Sequence, residues 1–183
     1  MEKSATIKNK VVTVGGGCFW CTEAIFRDTK GVLDVKSGFS GGFIKNPPYR
    51  EVRTGRTGHA EVIQITYNTE KISLQELLII HLMTHDPTTV DKQGADKGSQ
   101  YRSIIFYNDE EEKIVAEKVI ENLRNCYAKP IVTEVKPFEV FYIAEETHQN
   151  YYQENPEAIY CQMVIVPKLA KYRQNRANYL SNL

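Results

Sequence analysis

An apolar run, Val11-Val12-Thr13-Val14, ends in three consecutive glycines, Gly15 to Gly17, and a helix-like run from Phe19 follows at once. A strand that turns through glycine directly into a helix leaves its chain few ways to continue. The junction carries Cys18, then Phe19, then Trp20, the only tryptophan, then Cys21. A cysteine where a glycine turn opens a helix sits at the positive end of the helix dipole, which favours the thiolate. Cys18 is therefore expected to be a reactive thiol rather than a small buried hydrophobe.

The pattern beyond this junction predicts strands at Lys10 to Val14, Val32 to Ser40, Ala60 to Tyr67, Tyr101 to Tyr107 and Phe138 to Ile143. It predicts helices from Phe19 to Thr29, from a capping box at Ser73-Leu-Gln-Glu76, and from Asn108 to about Tyr127. The tail offers a short helix at Thr147 to Gln153, an extended run at Ala158 to Val166, and a basic amphipathic helix from Lys168. The first six elements spell β-α-β-β-α-β. That order predicts an α/β (α+β) fold, a two-layer plait of ferredoxin-like split βαβ type with additional wrapping helices and a C-terminal extension. One catalytic domain over 1–183 is expected, with its core at about 10–170 and a tail at 171–183. Two connections, 43–58 and 85–100, are too long for simple links and carry Tyr49, Arg53, Arg56, His85, Asp86, Asp96 and Gln100, so they are expected to be functional.

Lys plus Arg and Asp plus Glu both number 23, and the net charge is zero. Nothing suggests a nucleic-acid or membrane footprint. The apolar runs are too short to span a bilayer, and the start, Met1-Glu2-Lys3-Ser4, lacks the apolar stretch of a secretory signal. A cytoplasmic location follows as an expectation, and four cysteines in a reducing compartment point to redox or metal chemistry rather than a disulfide scaffold.

In the strand 60–67, Glu61 shares its period-2 face with Ile63, Ile65 and Tyr67. A carboxylate on an apolar face is desolvated, stays protonated near neutral pH and can act as a general acid. Alternatively, Glu61 lies just before the buried part of the strand, in solvent or an ion pair. Phe19 and Trp20 cannot both face a core from adjacent helical positions, so at least one is expected beside Cys18 as an apolar pocket wall. Tyr49 and Tyr101 each adjoin an arginine and could donate to an oxyanion, or be rim tyrosines. Cys21 lies one helical turn after Cys18 and could reach a sulfenate on it. Cys126 and Cys161 read as core, as does His81; His85 reads as a structural residue at a helix-ending turn. Zinc needs four ligands, and no second Cys-x-x-Cys or histidine pair supplies them, so neither metal nor cofactor is expected.

Several stretches together resemble the peptide methionine sulfoxide reductase A family. They are Gly-Gly-Gly-Cys-Phe-Trp-Cys-Thr-Glu-Ala at 15–24, Gly-Arg-Thr-Gly-His-Ala-Glu at 55–61 and His-Asp-Pro-Thr at 85–88. Gln93-Gly94, Asp96-Lys97-Gly98 and Gln100-Tyr101-Arg102-Ser103 continue the third of these. Thr147-His148-Gln149-Asn150-Tyr151, Tyr160-Cys161 and Pro167-Lys168-Leu169 in the tail are similar too. The resemblance covers about 10–170 and implies a peptide-methionine (S)-S-oxide reductase that repairs proteins under oxidative stress. It implies Cys18 as nucleophile, Glu61 as proton donor, Phe19 and Trp20 as the methyl pocket, and Tyr49, Asp96 and Tyr101 around the sulfoxide oxygen. It implies a Cys18 sulfenic acid, a disulfide, and thioredoxin as the reductant; a monomer is expected. Many members resolve the sulfenic acid with cysteines near the C-terminus, but nothing after Cys161 is a cysteine. Cys21 comes first as resolving thiol, Cys161 second, and direct reduction by an external thiol third. A general thiol–disulfide oxidoreductase and a non-enzymatic binder of apolar groups are the competing readings, and neither gives Glu61 and Cys18 together a role.

Overall fold

The structure, a computed structural model, describes residues 8–181. The Met1-Glu2-Lys3-Ser4 start lies outside the described residues. The elements are β1 (Asn9–Gly15), α1 (Phe19–Arg27), β2 (Val32–Ser40), α2 (Tyr49–Val52), β3 (Ala60–Asn68) and α3 (Leu74–Met83), then a small ribbon of β4 (Lys92–Gln93) and β5 (Asp96–Lys97). Then come β6 (Ile104–Tyr107), α4 (Glu110–Leu123), β7 (Glu134–Pro137), β8 (Tyr142–Ile143), α5 (Tyr151–Glu154) and α6 (Val166–Leu180). A six-stranded sheet runs in the order β7-β6-β1-β3-β2-β8. All its pairings are antiparallel except β6–β7. The molecule is thus a mixed α/β structure with helices packed on a sheet.

The period-2 alternation of the strands divides the apolar residues between two faces. Val12, Val14, Val35, Phe39, Ile63, Ile65 and Tyr67 join one buried cluster with residues of α1, α3, α4 and α6. Ala60, Val62, Ile104 and Phe106 form a smaller cluster on the other face, under Phe138 and Phe141. The register pairs Phe39 with Glu61 and Val14 with Ile63, so the start of β3 lies beside the end of β1, where the glycine turn begins.

The capping box of α3 forms as its sequence dictates. The Ser73 hydroxyl accepts from the Glu76 amide at 3.1 Å, and the Glu76 carboxylate accepts from the Ser73 amide at 2.7 Å. The cap of α4 sits one residue later than expected: Asp109 accepts from the Glu112 amide at 2.9 Å, while the Asn108 amide donates to Glu112 Oε2 at 2.8 Å. This helix ends at Leu123, and a 3₁₀ turn, Arg124–Cys126, follows. The turn takes Cys126 off the Val119–Leu123 face, so Cys126 is exposed and not core.

The segment 158–166 is helical and not extended. A π-helical turn, Cys161–Ile165, runs straight into α6. Its β-branched residues favour an extended chain, but Cys161, Ile165, Leu169 and Tyr172 are all buried at helical spacing, and packing overrides the local preference. Pro167 brings no amide hydrogen to the turn before it, and the wider π turn accommodates that gap. Further differences fall at edges. The expected strand at 101–107 starts at Ile104, after a 3₁₀ turn at Ser99–Tyr101. The expected strand at 138–143 pairs only through Tyr142 and Ile143, and the edge strand β7 had no alternating apolar pattern to announce it. The expected helix at 147–153 divides into a 3₁₀ turn, Glu146–His148, and α5. Between them, the Gln149 side chain acts as a strand surrogate: its Oε1 accepts from the Ser37 amide at 2.9 Å and its Nε2 donates to the Ser37 carbonyl at 2.8 Å.

Replacing Ser73 by alanine removes the acceptor that closes the first turn of α3. Urea denaturation should show a loss of about 1 kcal/mol, with activity unchanged because Ser73 is exposed and its side chain bonds only within the first turn of α3.

Candidate active site

The three glycines are each fixed by what lies against them. A Cβ on Gly15 would meet the Glu61 carbonyl at 2.6 Å, and one on Gly16 would meet the His85 ring at 2.8 Å. Gly17 has φ +83, which side-chain-bearing residues rarely adopt, and its amide donates to the Tyr101 carbonyl at 3.1 Å. The turn therefore presses Cys18 between β3 and the connection that carries Tyr101. Cys18 is the N-cap residue of α1, and its carbonyl accepts from the Cys21 amide at 3.1 Å.

The side chain at the N-cap makes no cap hydrogen bond. The acceptor comes from across the sheet: the Phe19 amide donates to Glu61 Oε1 at 3.2 Å. Glu61 is only 1% exposed, and its Oε2 is buried with no hydrogen-bond partner among the described residues. Burial pushes its carboxyl up to about 8, against the opposing pull of the Phe19 amide.

Burial also pushes the Cys18 thiol well up, helped by its bond to Cys21 and by the Glu61 charge. The helix N-terminus pulls the other way, through the Trp20 amide, and loses. The expectation of a thiol lowered by the helix dipole alone is corrected here: the dipole is present, but desolvation outweighs it. Cys21 moves downward, chiefly because Cys18 bonds to it, with help from Lys168 and the Tyr160 hydroxyl.

Phe19 and Trp20 diverge as adjacent helical residues must. Phe19 is fully buried, its ring 5.7 Å from Phe39 and 6.1 Å from Tyr49. Trp20 is half-buried on the other side and stacks on Tyr151 at 3.7 Å, with ring planes 5° apart. Its Nε1 donates to His148 Nδ1 at 3.2 Å, and Tyr160 stands edge-on at 5.6 Å. Tyr49 packs against the His148 ring at 4.1 Å. The charges of Glu61, Cys18 and Asp96 all act on both Tyr49 and Tyr101, and burial is the main cause that raises the two phenols, Tyr49 to about 12. Asp96, on β5, is raised by burial and restrained by Lys168. Cys18, Glu61, Cys21, Phe19, Trp20, Tyr49, Asp96 and Tyr101 thus lie in one neighbourhood.

A model of the family described as peptide methionine sulfoxide reductase matches residues 10–180. This chain belongs to that family. A relative from Saccharolobus solfataricus, named peptide methionine sulfoxide reductase MsrA, is 51% identical over 163 residues, which are 89% of this chain and 92% of the relative. Among solved structures, reduced Mxr1 from Saccharomyces cerevisiae superposes with a TM-score of 0.81 at 36% identity, covering 87% of this chain and 92% of that one. The same yeast protein in complex with Trx2 gives a TM-score of 0.57 at 27% identity, covering 82% of this chain and 90% of that one.

The sequence reading of this reductase-family chain left four neighbours without a role: Glu23, His148, Tyr151 and Tyr160. Three of them fall in tail stretches that carry the resemblance, which was the only signal they gave. Glu23 is a buried carboxylate on α1 that accepts from the Tyr151 amide at 3.2 Å and from the Ser37 hydroxyl at 3.4 Å. It pins the segment that carries the Trp20 partners. His81 is core, as expected: burial holds its imidazole well below the usual histidine range, and the Gly15 and Ile104 backbones beside the ring oppose that shift. His85 is held between the His81 carbonyl and the Ser103 hydroxyl, at 2.5 and 2.7 Å. Among the described residues, no helix is long and apolar enough to cross a membrane, and no three His, Cys, Asp or Glu side chains cluster to hold a metal.

The raised Glu61 carboxyl has a consequence for stability. Between its ordinary value of 4.5 and about 8 the folded chain keeps a proton that the unfolded chain has lost. Folding stability therefore falls as pH rises through that window. Glu61→Gln removes this titration while keeping an acceptor for Phe19. In urea denaturation its stability relative to the unaltered chain should grow from pH 5 to pH 8, by at most about 1.4 kcal/mol per pH unit. A pH-independent difference would mean that Glu61 titrates normally.

Proposed function

We infer that the chain is a peptide-methionine (S)-S-oxide reductase, which returns methionine sulfoxide, free or in proteins, to methionine. One observation carries this reading beyond family membership: a protonatable buried carboxyl, Glu61, bonds the amide adjacent to the thiol at the N-cap of α1. Sulfoxide sulfur is a poor electrophile until its oxygen is protonated. Glu61, in its acid form, protonates that oxygen through its otherwise unpartnered Oε2, while Tyr49 and Tyr101 donate to it and Asp96 helps to hold it. Their raised phenols stay protonated and keep their hydrogens to donate.

The Cys18 thiolate attacks sulfur, and methionine leaves with Cys18 as a sulfenic acid. The Glu61 proton ends on the sulfenic oxygen, so the charge that began on Cys18 ends on Glu61 and the atoms balance. The two ionisations suppress each other, because the Glu61 charge raises Cys18. The productive arrangement is therefore protonated Glu61 with ionised Cys18. Trp20, braced by Tyr151, His148 and Tyr160, supplies the apolar wall for the substrate methyl group, and Phe19 fixes that wall from inside the core.

Recycling starts with a second thiol. Cys21 lies one turn on and is drawn toward the thiolate form, so it condenses with the Cys18 sulfenic acid to a disulfide. Thioredoxin reduces that disulfide by exchange; the yeast relative's complex with Trx2 supports this partner. The central strands β6-β1-β3-β2, with α1 and α3 as crossovers, support the split βαβ plait as the frame of one catalytic domain over 1–183. We read the enzyme as a cytoplasmic monomer without a nucleic-acid partner; the zero net charge supports only the last of these, since it leaves no basic footprint.

Cys18→Ser should abolish reduction of a methyl sulfoxide with dithiothreitol as donor; retained activity would remove Cys18 from the chemistry. Glu61→Gln should slow methionine release in a single turnover by about 100-fold or more. Cys21→Ser should spare the dithiothreitol-driven reaction and impair turnover with thioredoxin. Mass spectrometry after one turnover identifies which cysteine bridges Cys18.

A further inference from the structure

Among the described residues, Tyr160 is the tail residue whose side chain hydrogen-bonds to the sulfur pair. Its hydroxyl lies 3.3 Å from Cys21 Sγ and also bonds toward Cys18. Its ring stands edge-on to Trp20, with planes at 76°. It immediately precedes the π turn Cys161–Ile165, whose first residue is fully buried. Tyr160 is thus clamped from both ends, by an aromatic contact and by a buried helical turn, with its hydroxyl aimed at Cys21. Either atom of an O–H···S contact can donate. Here the hydroxyl is the donor, because Cys21 is the thiol drawn toward ionisation and the surroundings hold the phenol proton in place.

We propose that Tyr160 is the positioning residue of the resolving step: its hydroxyl donates to Cys21 Sγ and holds that sulfur, as a thiolate, against Cys18. The proposal rests on the reading of Cys21 as the resolving thiol. In the step, the Cys21 sulfur attacks the sulfur of the Cys18 sulfenic acid. A sulfur–sulfur bond forms, the sulfur–oxygen bond breaks, and hydroxide leaves as water with the proton that the Cys21 thiol gave up. Thiol and sulfenic acid become disulfide and water, with no further oxidant or reductant. Tyr160 keeps its own proton throughout.

The other charges around Cys21 are distinct from this contact. Lys168 on α6 favours the thiolate and Asp96 on β5 opposes it. Cys18 on the N-cap of α1 bonds to it, while Cys161 and Glu61 feel its charge. Tyr160→Phe removes only the hydroxyl and leaves these groups and the ring contact with Trp20 in place.

The test is a rapid-quench single turnover of the full chain with the S-epimer of N-acetylmethionine sulfoxide. It follows methionine release, the sulfenic acid trapped by dimedone, and disulfide closure against pH. In Tyr160→Phe, which keeps the ring against Trp20, disulfide closure should slow far more than methionine release. The sulfenic acid should live about ten- to a hundredfold longer, the effect of one lost hydrogen bond to a charged sulfur. The pH midpoint of disulfide closure should also move upward, which a merely structural role would not produce. An unchanged sulfenic acid lifetime, in a background where Cys21→Ser lengthens it, overturns the role of Tyr160 alone. A parallel loss of methionine release overturns it as well, placing the hydroxyl in the reductase step. A Cys21→Ser chain that still closes a disulfide at the original rate overturns the Cys21 reading and the Tyr160 role with it.

Discussion

The hydrogen bond from the Phe19 amide to Glu61 joins the two halves of the site. A helix start leaves amide hydrogens without intrahelical partners, and α1 has a cysteine where a serine or aspartate would usually accept one. Glu61 accepts it from β3, on the apolar face of a strand. This requires β1 and β3 to approach closely where the glycines lie, and Gly15 has room for no more than hydrogen against the Glu61 carbonyl. The bond also moderates Glu61: without that amide, burial would raise the carboxyl further. One contact therefore caps the helix, ties β3 to the start of α1 beside the thiol and moderates the acidity of the buried carboxyl.

The buried groups must be understood together. A carboxyl and two thiols share a desolvated space in which negative charges repel, so their protonation states belong to the group and not to each residue. The helix dipole at Cys18 is worth roughly 0.3–1 kcal/mol in exposed settings, less than burial takes away here. Desolvation opposes ionisation of both groups, and the Glu61 charge adds to what raises Cys18, so a protonated Glu61 is the state that opposes the Cys18 thiolate least.

The order of the first elements, the strand 32–40 and the capping box of Ser73 were all legible, because each rests on a short period or a local rule; the inward aim of Glu61 was one of two readings its strand allowed. The two long connections were legible as functional through their content, although α2 and the β4–β5 ribbon inside them were not. The C-terminal third was not legible from pattern. Edge strand β7 has no alternation to read, and the apolar run 158–166 has a β-branched composition that favours extension while its buried residues keep helical spacing. Cys126 was lost to a helix that ended about four residues early. Hydrogen-bond partners such as His148 for Trp20 and Tyr160 for Cys21 lie 128 and 139 residues away in sequence, a distance at which no local rule applies.

That part of the chain nonetheless completes the site, for a reason found in α1 itself. Four successive residues at a helix start point in four directions, about 100° apart. Cys18 sits at the N-cap beside the glycine turn, the Phe19 amide faces Glu61 while its ring enters the core, and Trp20 lies half-buried against Tyr151 and His148. Cys21 returns to the side of Cys18 one turn on. The sheet supplies what meets the first two of these directions. Trp20 and Cys21 each take a side-chain hydrogen-bond partner from the last segment, His148 and Tyr160. Residues 148–160 close the site around them, with Tyr151 and His148 against the indole and Tyr160 against the second sulfur. The geometry of one helical turn thus dictates that a segment remote in sequence, and weak in local pattern, supply the aromatic wall and the partner of Cys21.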